Sequence, residues 1–357
     1  MNTLNENYPL CGYDCLEYVS CDGIGDIIGG LNITNNIGKF ENKIISLYFS
    51  SEKALTKAYK IYNCFFYSNV EIKGLSSNIP KNYKSRKFQP WGSDCSWMKG
   101  WLYGAIKENF NFNKHMVVPK IGFWNYTHDN NNIGMSFSVN TAAIKKPQKL
   151  YIINLINELL KNNKKIIYFG FIGNSIDNFI KEKFCNEIEF YEKDIDNDFL
   201  IKMKSCSYFY GTDSGMSWIS SFLRIPTEII LSKTFYLDIL TNLSKNEKMK
   251  TFEDIPWVLV KFENFEDLKS NIDKKWIDRN IIYKRGEDTN IIILNNDGTI
   301  TCTEKNLLEK FWTYEGNRLF LGSKKDKVFV MFEDFNDNDI YGFWTNFDHR
   351  SAQLKVI

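Results

Sequence analysis

Two short segments carry residue types at spacings that suit chemistry. The first runs Tyr208-Phe-Tyr-Gly-Thr-Asp-Ser-Gly-Met-Ser-Trp-Ile-Ser-Ser-Phe-Leu-Arg-Ile-Pro226. An apolar strand ends at Gly211-Thr212-Asp213, and a helix begins at Ser214-Gly215. The free N–H groups and the dipole of such a helix N-terminus make an anion site, suited to a phosphate or diphosphate. Gly215 leaves the backbone open to a phosphate. Ser214 offers a hydroxyl, and Met216 sits in the first turn. Asp213 either caps the helix or meets a sugar hydroxyl. The plain alternative is an ordinary N-cap between strand and helix. The second segment is Asp22-Gly-Ile-Gly-Asp-Ile-Ile-Gly-Gly30, a glycine-rich turn after a short strand at Leu16–Ser20. Its glycines, Gly23, Gly25 and Gly29, do not follow G-x-G-x-x-G, which weakens a dinucleotide reading. A cap is again the plain alternative for Asp26.

The run Asp213-Ser-Gly-Met, closing on Leu223-Arg-Ile-Pro226, resembles the donor-site motif of the bacterial heptosyltransferase family. The family pattern is D-[ST]-G-x-x-H, a small-residue helix, then G-x-P and a strand. Here Trp218 stands where the family usually has His, and Arg224 where it often has Gly. The segment Asp22–Gly30 resembles the family's N-terminal x-G-D loop. The resemblance implies a GT-B glycosyltransferase: two Rossmann-like domains facing a cleft, the acceptor side N-terminal and the donor side C-terminal. It implies Asp26 as the base for the acceptor hydroxyl, with Gly23 and Gly25 in the acceptor loop. Asp213, Ser214, Gly215 and Met216 would hold a nucleotide-sugar donor. Inverting transfer needs such a carboxylate near the acceptor hydroxyl and stabilisation of the departing diphosphate. Lys145, in Lys145-Lys146-Pro147, falls where related enzymes place a basic group near the phosphates; a solvated charge pair is the alternative. The segment Phe171–Ser175, with Gly170 and Gly173, should line the cleft. The loop Tyr191–Ile195 falls where this fold cradles the nucleotide base, and His128 is weighed as a cleft or a surface residue.

These motifs need elements to position them. The apolar run Lys43–Phe49 reads as a buried parallel strand. A helix starts at Ser50-Ser51-Glu52 with Leu55, Ala58, Tyr59 and Tyr62 on one face, and Asn69–Ile72 is the next strand. Residues 84–118 hold Trp91–Trp97 and a helix with Trp101, Leu102, Ala105 and Ile106. A second series then begins: strand Lys120–Trp124, helix Tyr151–Leu160, strand Ile166–Gly170, helix Asp198–Lys204, strand Ser207–Tyr210, helix Ser214–Arg224 and strand Thr227–Leu231. This alternation predicts parallel α/β layers. From residue 286 the pattern changes to hairpins, the first turning at Asp297-Gly298 and the second joining Phe311–Tyr314 to Arg318–Leu321. The expected organisation is an acceptor-side domain over 1–118, a donor domain over 119–285 and an all-β module over 286–357. Trp312, Tyr314 and Trp344 in that module suit either its core or the face of a sugar ring.

Composition bounds the partners. The chain has 357 residues, 45 Lys and Arg against 43 Asp and Glu, and a net charge of +2, so bulk charge does not make it a nucleic-acid binder. A hydrophobic content of 43%, with 28 Phe, 19 Tyr and 9 Trp, is too apolar for disorder. No run of about 18 apolar residues lacks a charge, so no transmembrane helix is expected. The first ten residues carry no basic and apolar leader, which leads to a cytoplasmic expectation; peripheral membrane association stays open. The eight cysteines are expected to be reduced thiols. Asp194-x-Asp196-x-Asp198 resembles a metal-binding D-x-D, but acids are favoured at a helix start in any case. The expectation is therefore no metal and no cofactor, with a nucleotide-sugar as substrate and a glycan, lipid-linked or protein acceptor. The alternative is a non-catalytic glycan-binding or assembly protein with a degenerate donor site, which Trp218 favours.

Overall fold

The computed structural model describes residues 12–19, 22–88, 118–119, 129–138, 147–173, 175–231, 258–262, 276–285, 287–303, 307–315, 318–324, 327–335, 339–344 and 347–357. The architecture is two parallel α/β units and an antiparallel β module.

The first unit follows the expected alternation. Strand β1 (Cys15–Tyr18) leads into helix α1 (Ile24–Glu41), then β2 (Ile45–Phe49) and α2 (Glu52–Cys64). After a two-residue strand, β3 (Phe65–Phe66), come β4 (Val70–Leu75) and β5 (Ser85–Phe88). The sheet order is β4-β2-β1-β5, all parallel, with Tyr18 opposite Phe49 and Phe88. β3 pairs instead with β6 (Val118–Pro119). Helix α2 starts where Ser51 accepts the Ala54 N–H at 3.4 Å. Its buried face is Ala54, Ala58, Ile61 and Cys64, not the face through Tyr59, which is 42% exposed. Leu55 and Tyr62 of the expected face are partly buried and pack against the same core, so Tyr59 alone of that face is exposed.

The second unit is a six-stranded parallel sheet, β12-β11-β10-β7-β8-β9. Its elements are β7 (Asp129–Ser136), α3 (Lys149–Lys161), β8 (Lys165–Phe169), α4 (Ser175–Phe184), β9 (Ile188–Tyr191), α5 (Asn197–Lys204), β10 (Cys206–Gly211), α6 (Gly215–Phe222), β11 (Thr227–Leu231) and β12 (Val258–Phe262). The expected strand at Lys120–Trp124, the helix around Trp101 and the run Trp91–Trp97 lie outside the described residues. The central strand is β7, which the sequence does not announce. α4, β9 and β12 are likewise additions. One hydrophobic core joins Leu16, Ile27, Leu31 and Phe49 of the first unit to Phe169, Phe209, Trp218 and Phe222 of the second. A second core on the other face of the sheet gathers Met135, Phe137, Ile152, Ile156, Ile176 and Ile180.

The module is one antiparallel sheet of eight strands. They are β13 (Asn280–Arg285), β14 (Asp288–Leu294), β15 (Ile300–Cys302), β16 (Phe311–Glu315), β17 (Arg318–Lys324), β18 (Lys327–Phe335), β19 (Asp339–Trp344) and β20 (Phe347–Val356). The sheet begins at Asn280, ahead of residue 286, because β13 pairs with both β14 and the C-terminal β20. Both expected hairpins form, with Leu294 opposite Ile300 and Trp312 opposite Leu321. Trp312 and Tyr314 pack on the module's own core, and the Trp312 indole N–H donates to the Asn295 carbonyl at 2.7 Å. Among the described residues no helix is long and apolar enough to cross a membrane.

Candidate functional site

Strand order locates the site. In the first sheet the chain runs outward from β1 through β2 to β4, and β5 then adds to the other side of β1. In the second it runs from β7 through β8 to β9, then returns to β10 on the other side of β7. Where the order reverses, the loops at the strand C-termini diverge and leave a crevice. The loop after β1 carries Gly23, Gly25 and Asp26. The loop after β10 carries Asp213, Ser214, Gly215 and Met216. Each candidate motif therefore sits at the switch point of its own sheet.

The two loops meet. A Cβ built on Gly215 would lie 2.9 Å from Cβ of Ile24 and 3.1 Å from the Gly25 nitrogen. One built on Gly25 would lie 3.1 Å from Cδ1 of Trp218 and 3.6 Å from the Gly215 Cα. The first turns of α1 and α6 thus abut, with no room for a Cβ at Gly215 and a tight fit for one at Gly25. This changes the reason for Gly215. The room expected for a phosphate over its Cα is filled by Ile24 and Gly25, leaving the helix-terminal N–H groups as what this turn offers an anion. Trp218, at the position where His was noted above, is 5% exposed and packs in the shared core beside Gly25.

The two helix starts differ in their caps. Gly23 is the N-cap of α1, and its carbonyl accepts the Ile27 N–H at 3.0 Å. Asp26 is the acid of the first turn, and one of its carboxylate oxygens would lie 2.5 Å from a Cβ on Gly23. The carboxylate therefore leans back over the cap, where the helix dipole favours it. Ser214 is the N-cap of α6, in extended conformation, and its side chain makes no capping hydrogen bond. Its Oγ is buried and has no partner among the described residues. The other α6 hydroxyls are committed: Ser217 donates to the Thr212 carbonyl at 2.6 Å, and Ser221 to the Ser217 carbonyl at 2.7 Å. Ser217 also lies where a Cβ on Gly211 would stand, which fixes glycine at the end of β10. The Oγ of Ser136, fully buried at the end of β7, is likewise without a partner among the described residues.

The turn after β8 completes this edge. Gly170 has φ +69°, and a Cβ on it would lie 2.6 Å from Cγ of Met216. Gly173, φ +74°, faces open space except for Phe171 at 3.9 Å. The structure thus brings Gly23, Gly25, Asp26, Ser214, Gly215, Met216 and Gly170 together and leaves Gly173 at the rim; Asp213 immediately precedes the Ser214 cap. Lys145 and His128 lie outside the described residues. In the acidic loop, Asp194 bridges to Lys60 of the first unit at 2.6 Å, while Asp196 caps α5 through the Phe199 N–H at 2.8 Å. Asp194 and Asp196 are thus engaged otherwise, Asp198 lies in the first turn of α5, and among the described residues no three His, Cys, Asp or Glu side chains gather as a metal site. Asp22 anchors the first loop to α2: its carbonyl accepts from Lys57 Nζ at 2.6 Å, and its carboxylate meets Ser51 and Lys53.

Sequence reasoning missed Ile24 and Asp177. Ile24 is a cross-unit contact that no single segment announces. Asp177 is fully buried in the first turn of α4 and accepts from Tyr168 OH at 2.8 Å, from the Ile172 N–H at 2.9 Å and from Ser138 Oγ. Burial, with the Asp177 charge beside it, pushes the Tyr168 hydroxyl well above the usual tyrosine range.

No protein-family model and no curated protein matches the chain. Among solved structures it is similar to the bacterial iron-containing dodecameric glycosyltransferase TibC from enterotoxigenic E. coli. That match has 12% identity and a TM-score of 0.45, covering 62% of this chain and 58% of TibC. It is also similar to E. coli ADP-heptose LPS heptosyltransferase II, at 8% identity and a TM-score of 0.41, over 61% of this chain and 85% of that one. A third is UDP-GlcNAc 2-epimerase from Methanocaldococcus jannaschii, at 15% identity and a TM-score of 0.28, over 61% and 51%. The chain thus spans less than two thirds of TibC.

Proposed function

We propose that the chain is a glycosyltransferase that moves a sugar from a nucleotide-sugar donor to a hydroxyl of a surface-glycan, lipid-linked or protein acceptor. The observation that carries this is the meeting of two helix N-termini at two switch points, one bearing an acid and the other a hydroxyl without a partner among the described residues. In this reading Asp26 takes the proton of the acceptor hydroxyl as its oxygen attacks the sugar. The bond from the sugar to the diphosphate breaks, and the nucleotide diphosphate leaves. The first-turn N–H groups of α6, at Gly215 and Met216, and the Ser214 hydroxyl receive the charge that develops on it. The positive end of the helix dipole adds to that stabilisation. In this reading Asp213, next to the cap, meets a sugar hydroxyl, and Lys145 adds charge near the phosphates.

Calorimetric titration with nucleotide diphosphates and sugar nucleotides, followed by turnover with the donor that binds, tests the reading. An Asp26→Asn variant should keep nucleotide binding and lose turnover by about 10²–10⁴-fold, the usual worth of a general base. Unchanged turnover removes Asp26 from the chemistry. A second reading, a glycan-binding or assembly protein without catalysis, is favoured by Trp218, whose buried ring occupies the junction in place of a polar side chain. Glycan binding without any nucleotide binding would decide for it.

A further inference from the structure

We propose that Asp177 is a positioning residue for the donor half of the site. It sets the turn Gly170–Gly173 in the one form that backs the first turn of α6. This rests on the reading of α6 as the nucleotide site. One carboxylate ties together three parts of the sheet edge. It accepts from Ser138, just past β7, from Tyr168 near the end of β8, and from the Ile172 backbone N–H inside the turn. The Tyr168 hydroxyl in turn accepts the Phe137 N–H at 3.1 Å, so the end of β7 is held twice. β7 forms one wall of the switch point.

The turn is held at its ends and through Phe171, while Ile172 between them is held by its backbone. Two of its four residues, Gly170 and Gly173, take left-handed φ values. The Ile172 side chain is 48% exposed, so its position is fixed through its backbone rather than by packing. Phe171 leans edge-on against Phe190, with centroids 6.1 Å apart, and Asn178 donates to the Gly173 carbonyl at 3.0 Å. At its other end the turn presses Gly170 against the Met216 side chain, in the first turn of α6. The chain of contact runs from Asp177 through Ile172 and Gly170 to Met216.

The chemistry of the group fits this role. A carboxylate is the side chain that accepts from several converging donors at once. An amide at this position would turn one NH2 toward those donors.

The test compares the wild type with Asp177→Asn and with Ile180→Val, a conservative change in the same helix at a fully buried core position. All three are melted and titrated with ADP, UDP, GDP and their sugar conjugates, and donor KM and kcat are measured with whichever member binds. Asp177→Asn should weaken the nucleotide by about tenfold and raise donor KM with kcat kept, as the loss of one hydrogen bond to a charged group would. Ile180→Val should lower the melting temperature and leave affinity unchanged. Equal affinity in the wild type and Asp177→Asn overturns the positioning role alone. No nucleotide binding by the wild type overturns the donor reading beneath it. If Asp177→Asn does not fold, amide exchange of the wild type decides. Nucleotide should then slow exchange at residues 170–173 as well as at 215–217, and protection at 215–217 alone contradicts the proposal.

Discussion

The helices α1 and α6 are built alike and finished differently. Each follows a parallel strand at a switch point, begins in a glycine-containing loop, and packs its first turn against the other. In α1 the first turn holds Asp26, whose carboxylate folds back over the Gly23 cap. In α6 the first turn holds no acid, and the hydroxyl of the Ser214 cap has no partner among the described residues. A first turn that carries its own negative charge repels a second anion; the first turn of α6 carries none, its nearest acid, Asp213, standing before the cap. The same local fold therefore divides into a half suited to handle a proton and a half suited to hold a phosphate.

The largest expected effect comes from removing the acid on the first half. Asp26→Asn should cost about 10²–10⁴-fold in turnover while nucleotide affinity holds, in parallel kinetic and calorimetric assays. The comparison is broken most directly by giving α6 the acid it lacks. Ser214→Asp keeps a residue type that caps as well as Ser, so denaturant melts should show a protein that still folds cooperatively. Its charge faces the anion site, so nucleotide affinity should fall by about tenfold or more, in line with a charge contribution of about 1–2 kcal/mol at a helix terminus. Stability and affinity moving together would remove the distinction between the two caps.

The contact between the halves can be tested by its tightness. Gly215→Ala places a methyl 2.9 Å from Cβ of Ile24, where real Cβ contacts essentially do not occur. It should destabilise by about 1–3 kcal/mol, the cost of overpacking. Gly25→Ala meets its nearest atom, in the Trp218 ring, at 3.1 Å and should cost less. Chemical denaturation of both variants gives the order, and a reversed order would mean that the ring, not Ile24, is the rigid side.

The smallest effect is at the other end of α6. Lys204 is buried and donates to the Leu223 carbonyl at 2.5 Å; burial, helped by Arg224, pulls its ammonium below the usual lysine range. The unfolded chain then binds the proton more readily than the folded one, so stability rises with pH between the folded value and about 10.4, the ordinary one. Denaturant midpoints should therefore climb slightly toward pH 10 relative to Lys204→Met. A gap independent of pH would mean that Lys204 does not carry this linkage.

Much of the frame is legible in the sequence because it is written locally. The strand Thr227–Leu231 and the Asp-Gly hairpin are apolar runs and turn residues whose physics is contained in a few neighbours. What is missed depends on distant partners. The first half of β7 reads Asp-Asn-Asn-Asn, poor strand formers; the strand is set by Ile133–Met135, which pair with β8 on one side and β10 on the other, while Asp129 meets only β10 and Asn132 only β8. The helix α4 is short and lysine-rich, and its Asp177 looks like an ordinary first-turn acid until Tyr168 and Ser138 converge on it. Both site motifs are visible as loop-to-helix starts, but the reason for Gly215 is not, since Ile24 lies in the other unit. Tyr59 of α2 is exposed where a core position was expected, because an aromatic body suits the surface as well as the core.

The central claim is that the start of α6 receives the donor diphosphate while Asp26 serves the acceptor. One calorimetric experiment tests it: wild type, Asp26→Asn and Ser214→Asp titrated in parallel with nucleotide diphosphates and sugar nucleotides. The account predicts saturable binding of one nucleotide, equal in the wild type and Asp26→Asn, and at least about tenfold weaker in Ser214→Asp. Binding that is unaffected by Ser214→Asp, or no binding to the wild type at all, would contradict it.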